Sequence, residues 1–143
     1  MTDAISGPRK ERLGQALATA EMWSELDGPD RYTVFVPIDL AIDAMDGMKP
    51  AEMPPTVLES FVKAHIVRGD CSLEQLEEVG CVRNLDGESI KVRSVNREAT
   101  VNGSRVLFKN RRTRSGVIHF IYPVLSPDAS TLESRVGFHG VFV

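Results

Sequence analysis

The sequence predicts an α+β fold, with helices in the N-terminal half and strands in the C-terminal half. Between residues 11 and 80, apolar residues recur at the three- and four-residue spacing of amphipathic helices. Beyond residue 80, Asp86-Gly87 and Asn102-Gly103 are strong signals for two-residue hairpin turns between alternating strands. Residues 115–127 combine a turn pair, an apolar run and two prolines, which is typical of a buried strand that ends abruptly. We expect the fold to be organised around this strand.

Length and composition indicate a single globular domain. The 143 residues suffice for one domain with a real core and are too few for two, and 42% apolar with 26% charged residues is an ordinary globular composition. We expect no transmembrane segment, because no run approaches the roughly 20 apolar residues that a membrane helix needs. Residues 1–10 are polar and lack the apolar core of a signal peptide, so we expect a flexible arm and, for the sequence as written, no export.

The first elements follow from apolar spacing and capping residues. One helix is expected from Glu11 to just before residues 27–29, with these residues on its apolar face: Leu13, Ala16, Leu17, Ala20, Trp23 and Leu26. The β-branched and aromatic run Tyr32–Pro37 predicts a strand. Asp39 is then expected to cap a short helix whose inward residues are Leu40, Ala41 and Met45.

Two capping boxes are predicted further along. Thr56 with Glu59 would open a helix with these residues inward: Leu58, Phe61 and Val62. Ser72 with Gln75 would open a second helix that Gly80 closes, with these residues inward: Leu73, Leu76 and Val79. In the strands that follow, two-residue alternation places one set of apolar residues on the core side: Ile90, Val92, Val106 and Phe108.

Two segments together resemble the signature motifs of the fasciclin domain. They are Tyr32-Thr33-Val34-Phe35-Val36-Pro37-Ile38-Asp39-Leu40-Ala41 and Gly116-Val117-Ile118-His119-Phe120-Ile121. The hairpin segments Asn84-Leu85-Asp86-Gly87 and Val101-Asn102-Gly103-Ser104 also resemble that family, so that the resemblance covers residues 11–127. It implies a fasciclin-like β-wedge of about seven strands, with helices from the N-terminal half packed against it.

The same resemblance implies a non-catalytic binding or cell-adhesion module whose partner is a protein or a surface glycan. Fasciclin-like proteins are usually secreted or attached to the cell surface. Residues 65–69 resemble a family segment written Tyr-His-Val-Val-x-Gly, in which the Tyr-His pair is a proposed receptor contact of animal proteins. His65 matches and is our candidate contact residue, whereas Ala64 replaces the tyrosine, which argues against an integrin-type role.

We predict no catalytic residue, no metal site, no cofactor and no enzymatic activity. A nucleophilic site would need a serine or cysteine and an orienting carboxylate near His65 or His119, the histidines of residues 11–127, and the sequence indicates neither. We interpret both histidines as core residues. Cys71 and Cys81 match no metal-binding spacing, and we expect two unpaired thiols, with a disulfide as the alternative.

A dense run of positive charge lies at residues 109–114, which we expect to form a hairpin loop. Its cations are Lys109, Arg111, Arg112 and Arg114, and they could hold a phosphate or sulfate polymer. The alternative is a solvent-exposed loop with no binding role. No aromatic residue interrupts the run, so we expect no binding of single-stranded nucleic acid and no sequence-specific nucleic acid partner. A carrier of a lipid or pigment is a further alternative, because a domain of this kind can hold a pocket.

The tail, residues 128–143, is unusually apolar for a chain end. Val136, Phe138 and Phe142 have even spacing, so we expect an added strand, formed within the molecule or by exchange with a second copy. Residues 1–80 carry a formal charge of −8 and residues 81–143 one of +5, a dipole that would help to orient a homodimer.

Overall fold

The computed structural model describes residues 11–26, 28–45 and 48–125. The helices are α1 (Glu11–Thr19), α2 (Trp23–Leu26), α3 (Asp39–Asp43), a 3-10 turn (Pro50–Glu52), α4 (Pro55–Lys63) and α5 (Leu73–Val79). The strands are β1 (Tyr32–Pro37), β2 (Ile66–Arg68), β3 (Cys81–Arg83), β4 (Ser89–Val95), β5 (Glu98–Val101), β6 (Ser104–Thr113) and β7 (Gly116–Tyr122). The predicted α+β architecture with about seven strands is confirmed.

The strands form one mixed sheet in the order β2-β1-β7-β6-β5-β4-β3, which curls into a nearly closed wedge. Strand β7 lies inside the sheet, parallel to β1 and antiparallel to β6. Every residue of β1 and all of β7 except Tyr122 are buried. The prediction that β7 is a central buried strand is therefore confirmed.

Each face of the sheet has its own core, because successive side chains of β1 and β7 point to opposite faces. We call the first the helix-side core, in which helices α1 to α4 pack on the sheet through Leu13, Leu17, Leu26, Ile42, Leu58, Val62, Val34, Val36, Ile118 and Phe120. The second, the hairpin-side core, joins α5 to the curled strands through Phe35, Val67, Leu73, Leu76, Ile90, Val92, Val101 and Ile121.

The single helix expected from residue 11 to residue 26 is wrong, because the chain breaks it after Thr19. Glu21 has a φ of 58°, and the Met22 amide donates to the Leu17 carbonyl at 2.9 Å before α2 begins. The break lets Met22 and Leu26 enter the helix-side core together. Apolar spacing alone could not show the break, because helical periodicity resumes beyond it.

Two of the three predicted caps are wrong. Ile38 takes the N-cap position of α3, Asp39 lies in its first turn, and Leu40 is exposed while Ile42 is buried. Helix α4 begins at Pro55 with no side-chain cap, since a proline at the first position needs no amide partner.

The third cap is confirmed. Ser72 and Gln75 exchange both bonds of a capping box, at 2.9 and 3.1 Å, and Gly80 closes α5 in the left-handed conformation. Val79, expected inside, is exposed, and Phe61 of α4 is only partly buried at the edge of its core.

One of the two predicted two-residue turns is wrong, because Arg83 pairs with Ser89 and five residues, 84–88, join β3 to β4 around Asp86-Gly87. Asn102-Gly103 forms the predicted two-residue turn, with φ values of 47° and 84°. Asn96-Arg97 forms another between β4 and β5, with φ values of 51° and 67°, which the sequence analysis missed because arginine is uncommon at positive φ. Ile90 and Val92 face the hairpin-side core as predicted.

Gly116 permits the close approach of β1 and β7, and this generates a test. A Cβ at Gly116, where φ is 153°, would lie 1.7 Å from the carbonyl oxygen of Tyr32, so the two central strands would have to separate. We expect Gly116→Ala to lower the free energy of unfolding by more than about 3 kcal/mol, as measured by urea denaturation.

The matched control is Gly103→Ala, at a φ of 84° but with nothing within 4 Å of the added Cβ. Only backbone strain should appear there, a loss of about 1–2 kcal/mol. Equal losses for the two variants would show that β1 and β7 are not held in this close register.

Candidate functional site

His65 is a structural residue whose two ring nitrogens are both occupied by backbone groups. Its side chain is 1% exposed, Nδ1 donates to the Phe61 carbonyl at 2.8 Å, and Nε2 accepts from the Leu125 amide at 3.1 Å. Since an amide can only donate, Nε2 carries no proton and the ring is neutral. The candidate contact residue His65 therefore lies away from the surface, where it ties the end of α4 to the chain beyond β7.

His119 is buried in the same way on the other face of the sheet. Its Nδ1 accepts from the Asn110 amide at 3.1 Å, and its Nε2 donates to the Cys71 carbonyl at 3.0 Å. The ring also stacks on Phe35, with centroids 5.6 Å apart. Because both nitrogens are occupied, this ring is not placed to accept a proton from a nucleophile.

Burial dominates the electrostatics of both rings. Loss of hydration lowers the pKa of His65 to about 4 and also lowers the pKa of His119. Cys71 and Cys81 are free thiols. Within residues 11–26, 28–45 and 48–125, no cluster of three histidine, cysteine or carboxylate side chains could hold a metal ion.

The cationic segment at residues 109–114 is not the expected loop. Strand β6 continues through Thr113, and Arg111 pairs with Ile118 while Arg112 pairs with Val117, so these two arginines belong to opposite faces of the sheet. Lys109 Nζ lies 2.5 Å from Glu74 Oε2, and the Arg114 carbonyl accepts from Arg31 at 2.9 Å. Arg111 and Arg112 therefore do not share one cationic surface, and Lys109 is paired with a carboxylate.

A polar network holds this part of β6, and sequence reasoning missed it. Asn110 has a φ of 59°, and its side chain accepts from the Leu73 amide at 2.9 Å and donates to Glu74 at 2.7 Å. Hydrogen bonds from Lys109 and Asn110 lower the pKa of Glu74 to about 2. The available signal was the asparagine, which tolerates positive φ better than most residues and marks an irregularity in a strand.

Phe108 lies on the helix side of the sheet, where it pairs with Phe120 of the helix-side core. Its ring meets Phe120 edge-on, with centroids 6.4 Å apart, yet Phe108 is 69% exposed while Phe120 is buried. The pairing register extends this surface across three strands. On β6, Arg111 and Arg105 pair with Ile118 and Tyr122 of β7. Arg105 also pairs with Thr100 of β5, and Thr100 in turn pairs with Arg93 of β4.

We call this surface the uncovered face and define it by Arg93, Val95, Arg105, Phe108 and Arg111. Val95 is 54% exposed and Phe108 is 69% exposed, so the face carries two exposed apolar side chains. Three arginines lie on the same face, and Glu98, which opposes Val95, accepts a hydrogen bond from Arg105 at 3.2 Å. Exposed aromatic residues with arginine are characteristic of protein interfaces.

Sequence reasoning placed Phe108 inside, and an irregularity in β6 explains the error. Val106 pairs with Ile121 of the hairpin-side core, but the register shifts, so that Phe108 pairs with Phe120 of the helix-side core. Two-residue alternation would keep Val106 and Phe108 on the same face. The extra residue at the bulge turns Phe108 outward.

A cavity of about 470 Å³ lies among helices α1, α3, α4 and the 3-10 turn. Its apolar lining comes from Ala16, Ile42, Pro50, Ala51, Met53 and Leu58. Its polar lining comes from Gln15, Thr19, Asp43 and Lys49. An apolar interior with a few polar groups is the general character of small-ligand sites.

Several expectations concern parts of the chain that the structure does not describe. The arm at residues 1–10 and the association candidates Val136, Phe138 and Phe142 lie outside the described residues. Among the helices that are described, none has the length and apolar character needed to cross a membrane.

The buried histidines generate a pH prediction. Folding holds the pKa of His65 at about 4, below the value near 6.5 of an unfolded chain, so protons bind the unfolded state more tightly. The free energy of unfolding should be constant above pH 7 and fall as the pH drops, by about 2 kcal/mol at pH 5 for His65 alone. His119 acts in the same direction.

Urea denaturation between pH 7 and pH 5 measures this effect. The variant His65→Gln cannot titrate, so its unfolding free energy should change less over the same interval. A free energy that stays flat in the unmodified protein would contradict the burial of neutral histidines.

Comparison with known proteins identifies the family. A sequence model of the fasciclin domain matches residues 9–127. The fold is similar to that of a solved FAS1 domain pair from the insect cell adhesion molecule fasciclin I, with a TM-score of 0.67 and 18% identity. That alignment covers 85% of this chain and 48% of the pair, so the chain spans about half the length of that structure. No curated protein sequence matches the chain.

Fasciclin domains are typically adhesion or binding modules and are generally non-enzymatic. The sequence match extends over most of the chain, and the structural similarity agrees with it. The chain belongs to the fasciclin domain family.

Proposed function

We propose that this chain is a non-catalytic protein-binding module that contacts its partner through the uncovered face. The observation that carries the proposal is the position of Phe108, which is 69% exposed on the same side of the sheet on which Ile118 and Phe120 are buried. The partner surface that fits is an apolar patch flanked by acidic groups.

The chemistry of the face suits such a partner. Full burial of a phenylalanine side chain is worth roughly 1.5–3 kcal/mol, and an aromatic residue surrounded by polar ones is a frequent centre of binding energy. The face carries a net positive charge, because it has three arginines, Arg93, Arg105 and Arg111, and one glutamate, Glu98. Complementary charge mainly raises the association rate and selects the partner.

Anionic polymers are a less favoured partner class. The run Lys109, Arg111, Arg112 and Arg114 divides between two faces of the sheet, and Lys109 is already paired with Glu74. A polymer would depend on the arginines alone, whereas a protein partner would also depend on Phe108. Substituting Phe108 or an arginine therefore distinguishes a protein partner from an anionic polymer.

A small-ligand carrier is a second candidate, favoured by the cavity of about 470 Å³. Its lining is mainly apolar and suits a lipid or pigment with a small polar group. An apolar molecule released by solvent extraction of the purified protein would support this candidate. A purified protein that releases none would count against it.

The test of the binding face uses three immobilised proteins, exposed to the surface proteins of the source cells and read out by quantitative mass spectrometry. We expect Phe108→Ser to reduce partner capture at least tenfold, since it removes the apolar centre of the contact. Val79→Ser is the matched control, because Val79 is 67% exposed but lies on α5, and it should capture as the unmodified protein does.

Equal capture by all three proteins would contradict the proposal. Heparin resin tests the other partner class with the same variants at low salt. Retention lost with Arg111→Ser but kept with Phe108→Ser would assign the face to an anionic polymer instead, because only the charge would then matter.

A further inference from the structure

We propose that residues 128–143 of the same chain occupy the uncovered face when no partner is bound, so that a partner must displace them. This inference rests on the proposed function, because it concerns regulation of the same surface. It follows from where the described chain ends, how much chain remains, and what side chains that remainder carries.

The chain leaves the sheet beside the uncovered face. After β7, the Ser104 hydroxyl donates to the Val124 carbonyl at 3.1 Å, and the Leu125 amide donates to His65 at 3.1 Å. Ser104 itself faces the hairpin-side core, since it pairs with Val101, but Tyr122, the last residue of β7, pairs with Arg105 of the uncovered face. Phe108 lies three residues beyond Arg105 on β6, about 10 Å away at the rise of a β-strand.

The remaining chain can reach this position. Eighteen residues follow Leu125, and an extended chain of that length spans up to about 60 Å. Reaching Phe108 requires only a fraction of this length. The tail can therefore lie across β6 without disturbing the anchors at Val124 and Leu125.

The tail also carries complementary side chains. Val136, Phe138 and Phe142 are apolar and evenly spaced, which suits contact with Phe108 and Val95. The tail has a net negative charge, because it contains Asp128 and Glu133 but only one arginine, Arg135. This charge is complementary to a face with three arginines. The tail thus has the same chemistry that the proposed partner needs.

Tethering makes such a contact effective even if it is weak. A tether of this length holds its end near the face at an effective concentration on the order of millimolar. If the tail covers the face about 90% of the time, the apparent dissociation constant of a partner rises about tenfold.

The test is site-specific photo-crosslinking of the full chain, with p-benzoylphenylalanine in place of Phe108. We expect intramolecular crosslinks, found in the monomer fraction and mapped by peptide mass spectrometry to residues 128–143. The same analogue in place of the exposed Val79 is the control and should give no crosslink to the tail. Adding Phe138→Ser with Phe142→Ser should abolish the crosslink from position 108.

Other outcomes overturn the inference. Crosslinks from position 108 to a second chain would make another copy the occupant. No crosslink to the tail, or an equal yield from position 79, would show that the tail does not occupy this face.

Partner capture separates this inference from the proposed function. The full chain with Phe138→Ser and Phe142→Ser should capture about ten times more partner than the unmodified chain at limiting concentration. Crosslinking without capture by either protein would support the tail contact and overturn the binding function. Capture without crosslinking would support the function and overturn the tail contact.

Discussion

The burial of β7 on both faces is the constraint on which the rest of the structure depends. A strand inside a sheet satisfies its backbone through its neighbours, here β1 and β6, but its side chains need an apolar layer above and below. The helices supply one layer, whereas α5 and the curled strands β3 to β5 supply the other. Gly116 belongs to the same constraint, because β1 and β7 could not pair so closely with a side chain at that position.

The two histidines extend this constraint into the connections of the chain. His119 is a polar residue on a fully buried strand, so its nitrogens need partners, and it finds them in the backbone of β6 and of the loop before α5. His65 fixes α4 to the segment after β7. Both rings therefore have a structural role, because each of their buried nitrogens is hydrogen-bonded to the backbone.

The irregular part of β6, between Val106 and Arg111, contains the backbone amide that donates to His119. The same irregularity turns Phe108 outward.

Much of the fold could be predicted from the sequence, because local chemistry decides it. The buried strands, the Ser72 cap and the Asn102-Gly103 turn each depend on residues that are neighbours in the chain. The exposure of Phe108 could not be predicted, because it depends on a register shift in β6 that alternation along the sequence does not show. The basic run was misplaced for the same reason, since only the pairing with β7 shows that Arg111 and Arg112 face opposite ways.

Native-state hydrogen exchange of the full chain tests the central claim most directly. If the fold depends on the doubly buried β7, the amides of β7 and β1 should exchange most slowly and only through global unfolding. The amides of β4 and β5 should exchange faster through local opening, because helix-side residues such as Arg93 and Val95 are exposed. The slowest exchange in β3 to β5, with β7 opening locally, would contradict this account of the fold.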